Sequence, residues 1–307
     1  MSDVRAEPLS PIDAATLWPQ LGRLDTEVLA TRGGESLLVR FGLAATGLTR
    51  LPRIPRTAVL GVKRGLGYRG VVVVKELAGG AGWEAVSLRL AREKDDEAVT
   101  ALLSGAANEV ASRGGRTLSL RAAEGSPHKE AIRRAGCMAY RIERLHAVPA
   151  AHPAASETRF RPATRADRHG IFRLYCRAVP EHIRRQEAPT QQEWRAVLDS
   201  FDAGREFVLE RDGAIAAWVG MGERESRVLE DGTGEGVADA ALALVESAGP
   251  HHGTLVLAED QVSLEREADT RGYTPLGVRL VFARRMALLN PLKEVAAVPA
   301  ESLALPQ

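Results

Sequence analysis

The chain repeats itself, and this repeat constrains its fold more than any other feature of the sequence. The segment from Glu97 to Gly136 can be aligned with the segment from Gly234 to Gly272. The stretch from Thr117 to Leu120 then matches the stretch from Thr254 to Leu257, and the alignment slips by one residue, from an offset of 137 to one of 136. Because 307 residues are about twice the size of a typical compact domain, we expect two similar units.

Both copies predict the same order of elements. Each contains an alanine-rich amphipathic helix, a glycine stop, a short alternating strand and a second short helix that ends in glycine. A short strand and helices begin each half, three strands precede each copy, and one strand or strand pair follows it. The sequence therefore predicts an α/β fold with mixed sheets, in two units of about six or seven strands each.

A segment rich in proline and alanine separates the two predicted units. It runs from Pro149 to Ser156, and its two prolines and small side chains cannot contribute to a packed core. We predict an N-terminal domain at 1–148, a linker at 149–156, a C-terminal domain at 157–290 and an extended tail at 291–307.

Composition excludes several classes of protein. Hydrophobic residues make up 45% and charged residues 26% of the chain, which is typical of a soluble globular protein. No apolar run approaches the roughly 18 residues of a membrane-spanning helix, and the first thirty residues lack the apolar core of a secretory signal, so we expect a cytoplasmic protein and no membrane partner. Cys137 and Cys176 are far apart and have no metal-ligand spacing, so we predict no metal site.

The charge of the chain is unevenly distributed. Residues up to Val148 include 22 basic and 16 acidic side chains, whereas the remainder includes 19 basic and 24 acidic ones. No acidic residue lies between Glu35 and Glu76, a stretch that could hold an anion, pack against the acidic half or form a solvated surface. Only Phe41 and Tyr68 accompany its arginines, which argues against a nucleic-acid partner.

The order of elements resembles the GNAT N-acetyltransferase fold, and two such units in one chain resemble a tandem GNAT protein. The sharpest local similarity is the late helix from Leu264 to Tyr273, which is similar to the family's helix ending in Gly-Phe; the segment from Ala131 to Cys137 is its weaker counterpart. The resemblance implies acetyl-CoA as co-substrate and direct transfer of its acetyl group to an amine of a small molecule or peptide.

The resemblance places the cofactor at the loop that opens the central helix. The candidate cofactor-binding residues are Gly232, Thr233, Gly234, Glu235 and Gly236. Glycines let the backbone approach phosphate oxygens, and free N–H groups at a helix start bind anions. Asp231 stands where the family has Arg or Gln, and Glu230 and Asp239 add like charge, so the alternative is a plain turn in which Asp231 caps the helix. The corresponding loop of the first half, Arg92 to Glu97, has no glycine.

Two residues are candidates for proton transfer. In the family a tyrosine four residues before the late glycine protonates the leaving thiolate, but those positions are Ile132 and Ala268. Tyr273 is a substitute only if its ring turns into the cleft; otherwise it is a core aromatic. Alternation along the strand Trp83 to Leu90 places Glu84 on one face with Val86, Leu88 and Leu90, which makes Glu84 the candidate general base or a strand-end residue that reaches solvent.

These observations leave two hypotheses about function. The first is an acyl-CoA-dependent N-acetyltransferase acting on a small-molecule amine, which depends on the resemblance of the fold. The second is a non-catalytic tandem GNAT-like protein that binds small molecules or acts as a scaffold, which depends on the missing Arg or Gln and the missing tyrosine.

Overall fold

The structure is a computed structural model. The first half of the chain contains three long antiparallel strands, followed by a helix, a strand, a helix and a strand. The described residues are 4–10, 13, 17–29, 56–65, 67–149, 160–201, 203–223, 225–248 and 253–286. The first half comprises β1 (Glu7–Pro8), β2 (Thr26–Glu27), β3 (Thr57–Arg64), β4 (Gly67–Glu76), β5 (Gly82–Leu90), α1 (Asp96–Ser112), β6 (Thr117–Ala123), α2 (Lys129–Arg134) and β7 (Met138–Ala147). The predicted helix between residues 97 and 112 is thus confirmed.

The second half repeats this order. It comprises β8 (Arg161–Pro162), α3 (Arg168–Ala178), α4 (Glu181–Glu187), α5 (Gln191–Ser200), β9 (Ala203–Arg211), β10 (Ala214–Gly222), β11 (Glu225–Glu230), α6 (Val237–Ser247), β12 (Thr254–Ala258), α7 (Val262–Thr270) and β13 (Thr274–Arg285). Neighbouring residues of a strand face opposite sides of the sheet. Trp218 accordingly packs in the cluster of α3, α4 and α5, whereas Val219 packs in the cluster of α6 and α7. Helices therefore cover both faces of this half.

One continuous mixed sheet runs through both halves. Its strand order is β1-β3-β4-β5-β6-β13-β7-β12-β11-β10-β9-β8, with β2 beside β5. The prediction of a separate sheet for each unit is wrong, because each half gives its last strand to the other: β13 pairs with β6, and β7 pairs with β12. The sheet is continuous because equivalent strands are exchanged, so the continuity is compatible with two repeated units. Most of the predicted linker, and the whole of the tail at 291–307, lie outside the described residues, so the domain boundaries stay a prediction.

The exchanged strands β7 and β13 pair with each other at the middle of the sheet. Glu143 of β7 lies directly opposite Arg279 of β13. These two residues are 136 positions apart, which is the offset that relates Gly136 to Gly272 in the repeat. Equivalent positions of the two halves therefore meet at the centre, and they carry opposite charges.

Glu143 is the centre of a cluster of three carboxylates and three guanidinium groups. Its members are Glu84, Glu143, Glu225, Arg121, Arg227 and Arg279. Its carboxylate accepts hydrogen bonds from Arg279 Nε at 2.5 Å and Arg227 Nη1 at 2.7 Å, and Arg121 Nε lies 3.3 Å away. The carboxylate of Glu225 accepts two further bonds from Arg279, each 2.8 Å long. Burial opposes ionisation of Glu143, but the arginines outweigh burial and hold its pKa well below the usual range.

We expect Glu143→Gln to lower the free energy of unfolding by about 3–5 kcal/mol, because it leaves buried guanidinium groups without their shared counter-charge. Urea denaturation measures this loss. The matched control is Glu130→Gln, which breaks the exposed Glu130–Arg133 pair and should change stability by less than about 1 kcal/mol. Equal effects of the two substitutions would contradict the central role of Glu143.

His146 makes the same region sensitive to acid. It is buried on β7, and neither ring nitrogen makes a hydrogen bond within the described part of the chain. Burial lowers its pKa, as does Arg144, while Glu265 and Asp269 oppose the shift. The unfolded chain therefore binds more protons than the folded chain below about pH 6.5, so the free energy of unfolding should fall as the pH is lowered through that value. Thermal melts between about pH 5 and 7 should show a flatter dependence in His146→Leu.

Candidate active site

The loop from Asp231 to Gly236 joins β11 to α6, and four of its residues line a cleft of about 550 Å³: Asp231, Thr233, Gly234 and Glu235. Two of its glycines have left-handed backbone conformations, with φ of +71° at Gly232 and +72° at Gly236, which side-chain-bearing residues rarely adopt. Gly236 is the N-cap of α6. The helix therefore begins at Val237, six residues after Asp231.

Asp231 of the loop and Glu230 just before it have partners of their own. Asp231 accepts hydrogen bonds from the Thr233 hydroxyl at 2.6 Å and from Arg177 Nε at 3.0 Å. Burial raises the pKa of Asp231, but these bonds outweigh burial and lower it. Glu230 accepts a 2.6 Å bond from the Gly232 amide and a second bond from the Ser263 hydroxyl. Asp231 thus forms a turn and an ion pair; it does not cap α6.

Three backbone amides remain available at the start of α6. The N–H groups of Gly234, Glu235 and Gly236 make no hydrogen bond to any residue that the structure describes. Arg177 of α3 and Arg211 of β9 line the same cleft. Free amides at the positive end of a helix, flanked by two guanidinium groups, suit a phosphate or pyrophosphate group.

A gap between two parallel strands lies beside this loop. β11 and β12 pair only where Glu225 to Arg227 face Thr254 to Val256, and the strands then separate. One side chain bridges the gap: Gln261 donates from Nε2 to the Val228 carbonyl at 2.6 Å, and its Oε1 accepts from the Ala258 amide at 2.9 Å. An amide group therefore already occupies the space between the separated strands.

Comparison with known proteins is informative about the fold. No family model and no curated protein matches the sequence. A GCN5-related N-acetyltransferase from Sphaerobacter thermophilus is similar over 94% of this chain and 98% of that chain, with 13% identity and a TM-score of 0.53. A protein described as an acetyltransferase from Pyrococcus horikoshii is similar over 94% of this chain and 91% of that chain, with 10% identity and a TM-score of 0.52.

This chain has the fold of the GCN5-related N-acetyltransferases. A tandem GNAT protein from the clavulanic acid biosynthesis pathway also matches 93% of this chain and 99% of that chain, at 15% identity and a TM-score of 0.47. The GNAT fold predicted from the order of elements is confirmed by the structures from Sphaerobacter thermophilus and Pyrococcus horikoshii.

Within this GNAT fold, Glu84 lies in the central charge cluster. Its carboxylate pairs with Arg121, and burial raises its pKa against the opposing effect of Arg121. The predicted alternation of β5 is wrong, because Val73 pairs with Ser87 and Val74 with Ala85, which makes Val86 a bulge. Leu88 and Leu90 consequently pack on the α1 side, whereas Val86 packs on the opposite side.

Tyr273 belongs to the apolar core. It is 4% exposed, and its hydroxyl donates to the Leu242 carbonyl of α6 at 3.4 Å. Burial raises its pKa, and nearby Glu246 adds to the shift. The structure gives Glu84 and Tyr273 separate sets of contacts, so it does not bring these two predicted catalytic residues together.

The basic first half forms a second cleft, of about 800 Å³. The basic residues that line it are Arg5, Lys63, Arg64, Arg69, Arg92 and Lys94. Arg69 is already paired with Asp95 at 2.5 Å and Glu97 at 2.9 Å. Arg50, which belongs to the basic stretch that could hold an anion, lies outside the described residues.

Sequence reasoning missed Arg177, Arg211 and Gln261. Each comes from an element other than the glycine loop, and only the fold brings it there. Among the described residues, no group of three or more His, Cys, Asp or Glu side chains is placed to hold a metal ion. The described helices include none with the length and apolar character needed to cross a bilayer. The pair His251 and His252 lies outside the described residues.

Proposed function

We propose that the second half binds an acyl-coenzyme A, with acetyl-CoA as the expected co-substrate, and that the protein transfers the acyl group directly to an amine of a small molecule. The observation that carries this proposal is the set of three free amides at Gly234, Glu235 and Gly236, flanked by Arg177 and Arg211 at the start of an 11-residue helix. The GNAT fold supports the reaction class.

The residues present fit the parts of coenzyme A. The amides of the loop suit its pyrophosphate. Its pantetheine arm contains amide groups, which can hydrogen bond to the exposed edges of separated strands. Val228 and Ala258 offer such a carbonyl and amide, both held at present by the Gln261 side chain. Displacement of Gln261 would expose both backbone groups to the arm.

A thioester supplies an activated acyl carbon, which an uncharged amine can attack. In this transfer a C–N bond forms and the C–S bond breaks. The amine loses a proton, and the departing thiolate gains one. A narrow aromatic crevice of about 30 Å³ reaches the strand gap, and it would admit an acceptor amine only after its walls move apart. Its walls include Tyr175, Trp194, Phe201 and Trp218, with Val228, Ala258 and Gln261 at the gap. The Glu230 carboxylate already accepts hydrogen bonds from Gly232 and Ser263, so it is not available as a base. We therefore expect the acceptor to react as the neutral amine.

A second candidate is binding without catalysis. The buried ion pair of Glu84 with Arg121 and the core position of Tyr273 favour it, because neither predicted catalytic group is free. The two functions differ in one measurement. We expect acetyl-CoA to bind in a calorimetric titration and to release free thiol when small amines are added. Binding without thiol release across a broad panel of amines would support the non-catalytic function, and absence of binding would contradict both the acyl-CoA site and the proposed transfer.

We expect Asp231→Asn to tighten acetyl-CoA binding about fivefold, or about 1 kcal/mol, because it removes a negative charge beside the loop and frees Arg177 from its ion pair. Asparagine can still accept the bond from Thr233, so the turn is preserved. The gain should shrink as salt is raised. Asp269→Asn on the exposed face of α7 is the control and should leave the affinity unchanged. An unchanged affinity for Asp231→Asn would place the pyrophosphate elsewhere.

Gln261→Ala should also tighten acetyl-CoA binding, by up to about thirtyfold, because the free protein then loses two competing hydrogen bonds of about 1 kcal/mol each. Calorimetry measures this change, with Gln192→Ala on the exposed start of α5 as control. Weaker binding by Gln261→Ala would show instead that this side chain contacts the ligand.

A further inference from the structure

The first half has a strand gap equivalent to that of the second half. β5 and β6 pair only where Gly82 to Glu84 face Thr117 to Ser119, although β5 continues to Leu90 and β6 to Ala123. The opposite edge of β5 is covered by β4 along its length. One edge of β5 is thus paired with β4, and the other edge, over residues 85–90, faces the gap between β5 and β6.

A segment of the chain itself lies in this gap. Thr26 of β2 pairs with Leu90, and Glu27 pairs with Arg89, in antiparallel register. The Val28 amide then donates to the Leu88 carbonyl at 2.9 Å. Since β4 occupies the other edge of β5, β2 must lie on the edge that faces β6.

The Glu27 side chain holds the segment in place. Its Oε1 accepts a bond from the Leu88 amide at 3.0 Å. Its Oε2 accepts from the Ser87 hydroxyl at 3.0 Å and from Arg89 Nε at 3.1 Å. One carboxylate therefore contacts three consecutive residues of β5.

Apolar packing closes the gap further. Val28 and Leu29 are 6% and 5% exposed, and they belong to the same buried cluster as Leu118 and Leu120 of β6. In the second half, among the described residues, Gln261 hydrogen bonds to Val228 and Ala258 across the corresponding space. Ser263 also donates to Glu230 at the end of β11. Opening the second gap requires a change of side-chain rotamers, whereas opening the first requires expulsion of a strand and two buried side chains.

The helix start beside the first gap is also occupied. Asp95 caps α1 by accepting from the Ala98 amide at 3.1 Å, and it pairs with Arg69. The chain's own carboxylate thus takes the place that an anionic ligand would need.

We propose that residues 26–29 are a built-in occupant of the first gap, so that each chain binds one acyl-coenzyme A, in the second half, and the first half serves as a structural partner. This inference rests on the proposed function. It assigns the acyl-CoA chemistry to the half that contains Gly234 and Gln261.

Calorimetric titration of acetyl-CoA into the full chain tests the number of sites. We expect one equivalent per chain for the wild type and none for Gly234→Glu, whose Cβ would overlap the Val237 side chain at the start of α6 and whose carboxylate would lie near Arg211. Two equivalents in the wild type, or one remaining in a folded Gly234→Glu variant, would overturn the inference, and the latter result would indicate the basic cleft of the first half.

Hydrogen exchange tests the occupant itself and does not depend on coenzyme binding. Peptides covering residues 24–29 and 86–90 should exchange slowly, and acetyl-CoA should leave their exchange unchanged. Glu27→Ala should speed their exchange at least tenfold, while β12 peptides stay unaffected. Asp25→Ala is the matched control, since Asp25 is exposed and its carboxylate accepts a hydrogen bond from the Thr26 hydroxyl. Fast exchange of residues 24–29 in the wild type, or a change on adding acetyl-CoA, would overturn the inference; slow exchange in a protein that binds no acetyl-CoA would support the occupant and refute the proposed function.

Discussion

The pairing of Glu143 with Arg279 is the constraint on which the rest of the structure depends. These residues occupy equivalent positions of the two halves, and the exchanged strands bring them face to face in a buried setting. Two copies of the first half joined in the same way would bury Glu143 against Glu143, and two copies of the second would bury Arg279 against Arg279. Since unpaired buried charges are strongly destabilising, the cluster favours the union of unlike halves.

Once the halves are joined in this way, each retains a gap between its two parallel strands, and the two gaps differ. The first is filled by β2, with Glu27 bonded along β5 and Val28 in the core. The second is bridged by the amide of Gln261. Two similar frameworks thus differ in what fills the gap between their parallel strands.

The electrostatics of the glycine loop show how a departure from a family pattern can be offset. Asp231 stands where the family pattern has Arg or Gln. In the folded chain its charge is paired with Arg177 of α3, and Arg211 of β9 lines the same cleft. Arginines from other elements therefore offset part of the negative charge that Asp231 and Glu235 give to the loop.

The sequence by itself determined the features that depend on local interactions. The repeat, α1 between residues 96 and 112 and the glycine loop before α6 follow from helix spacing, capping and turn preferences within a few residues. Only the tertiary structure decided which half pairs with β7 and which with β13. It also decided that a bulge at Val86 turns Leu88 away from the face of β5 that carries Glu84, and that Tyr273 is buried against α6. The physical reason is that strand partners, bulges and burial depend on residues far away in the chain, such as Arg279 for Glu143. The local sequence pattern does not determine which distant residues these are.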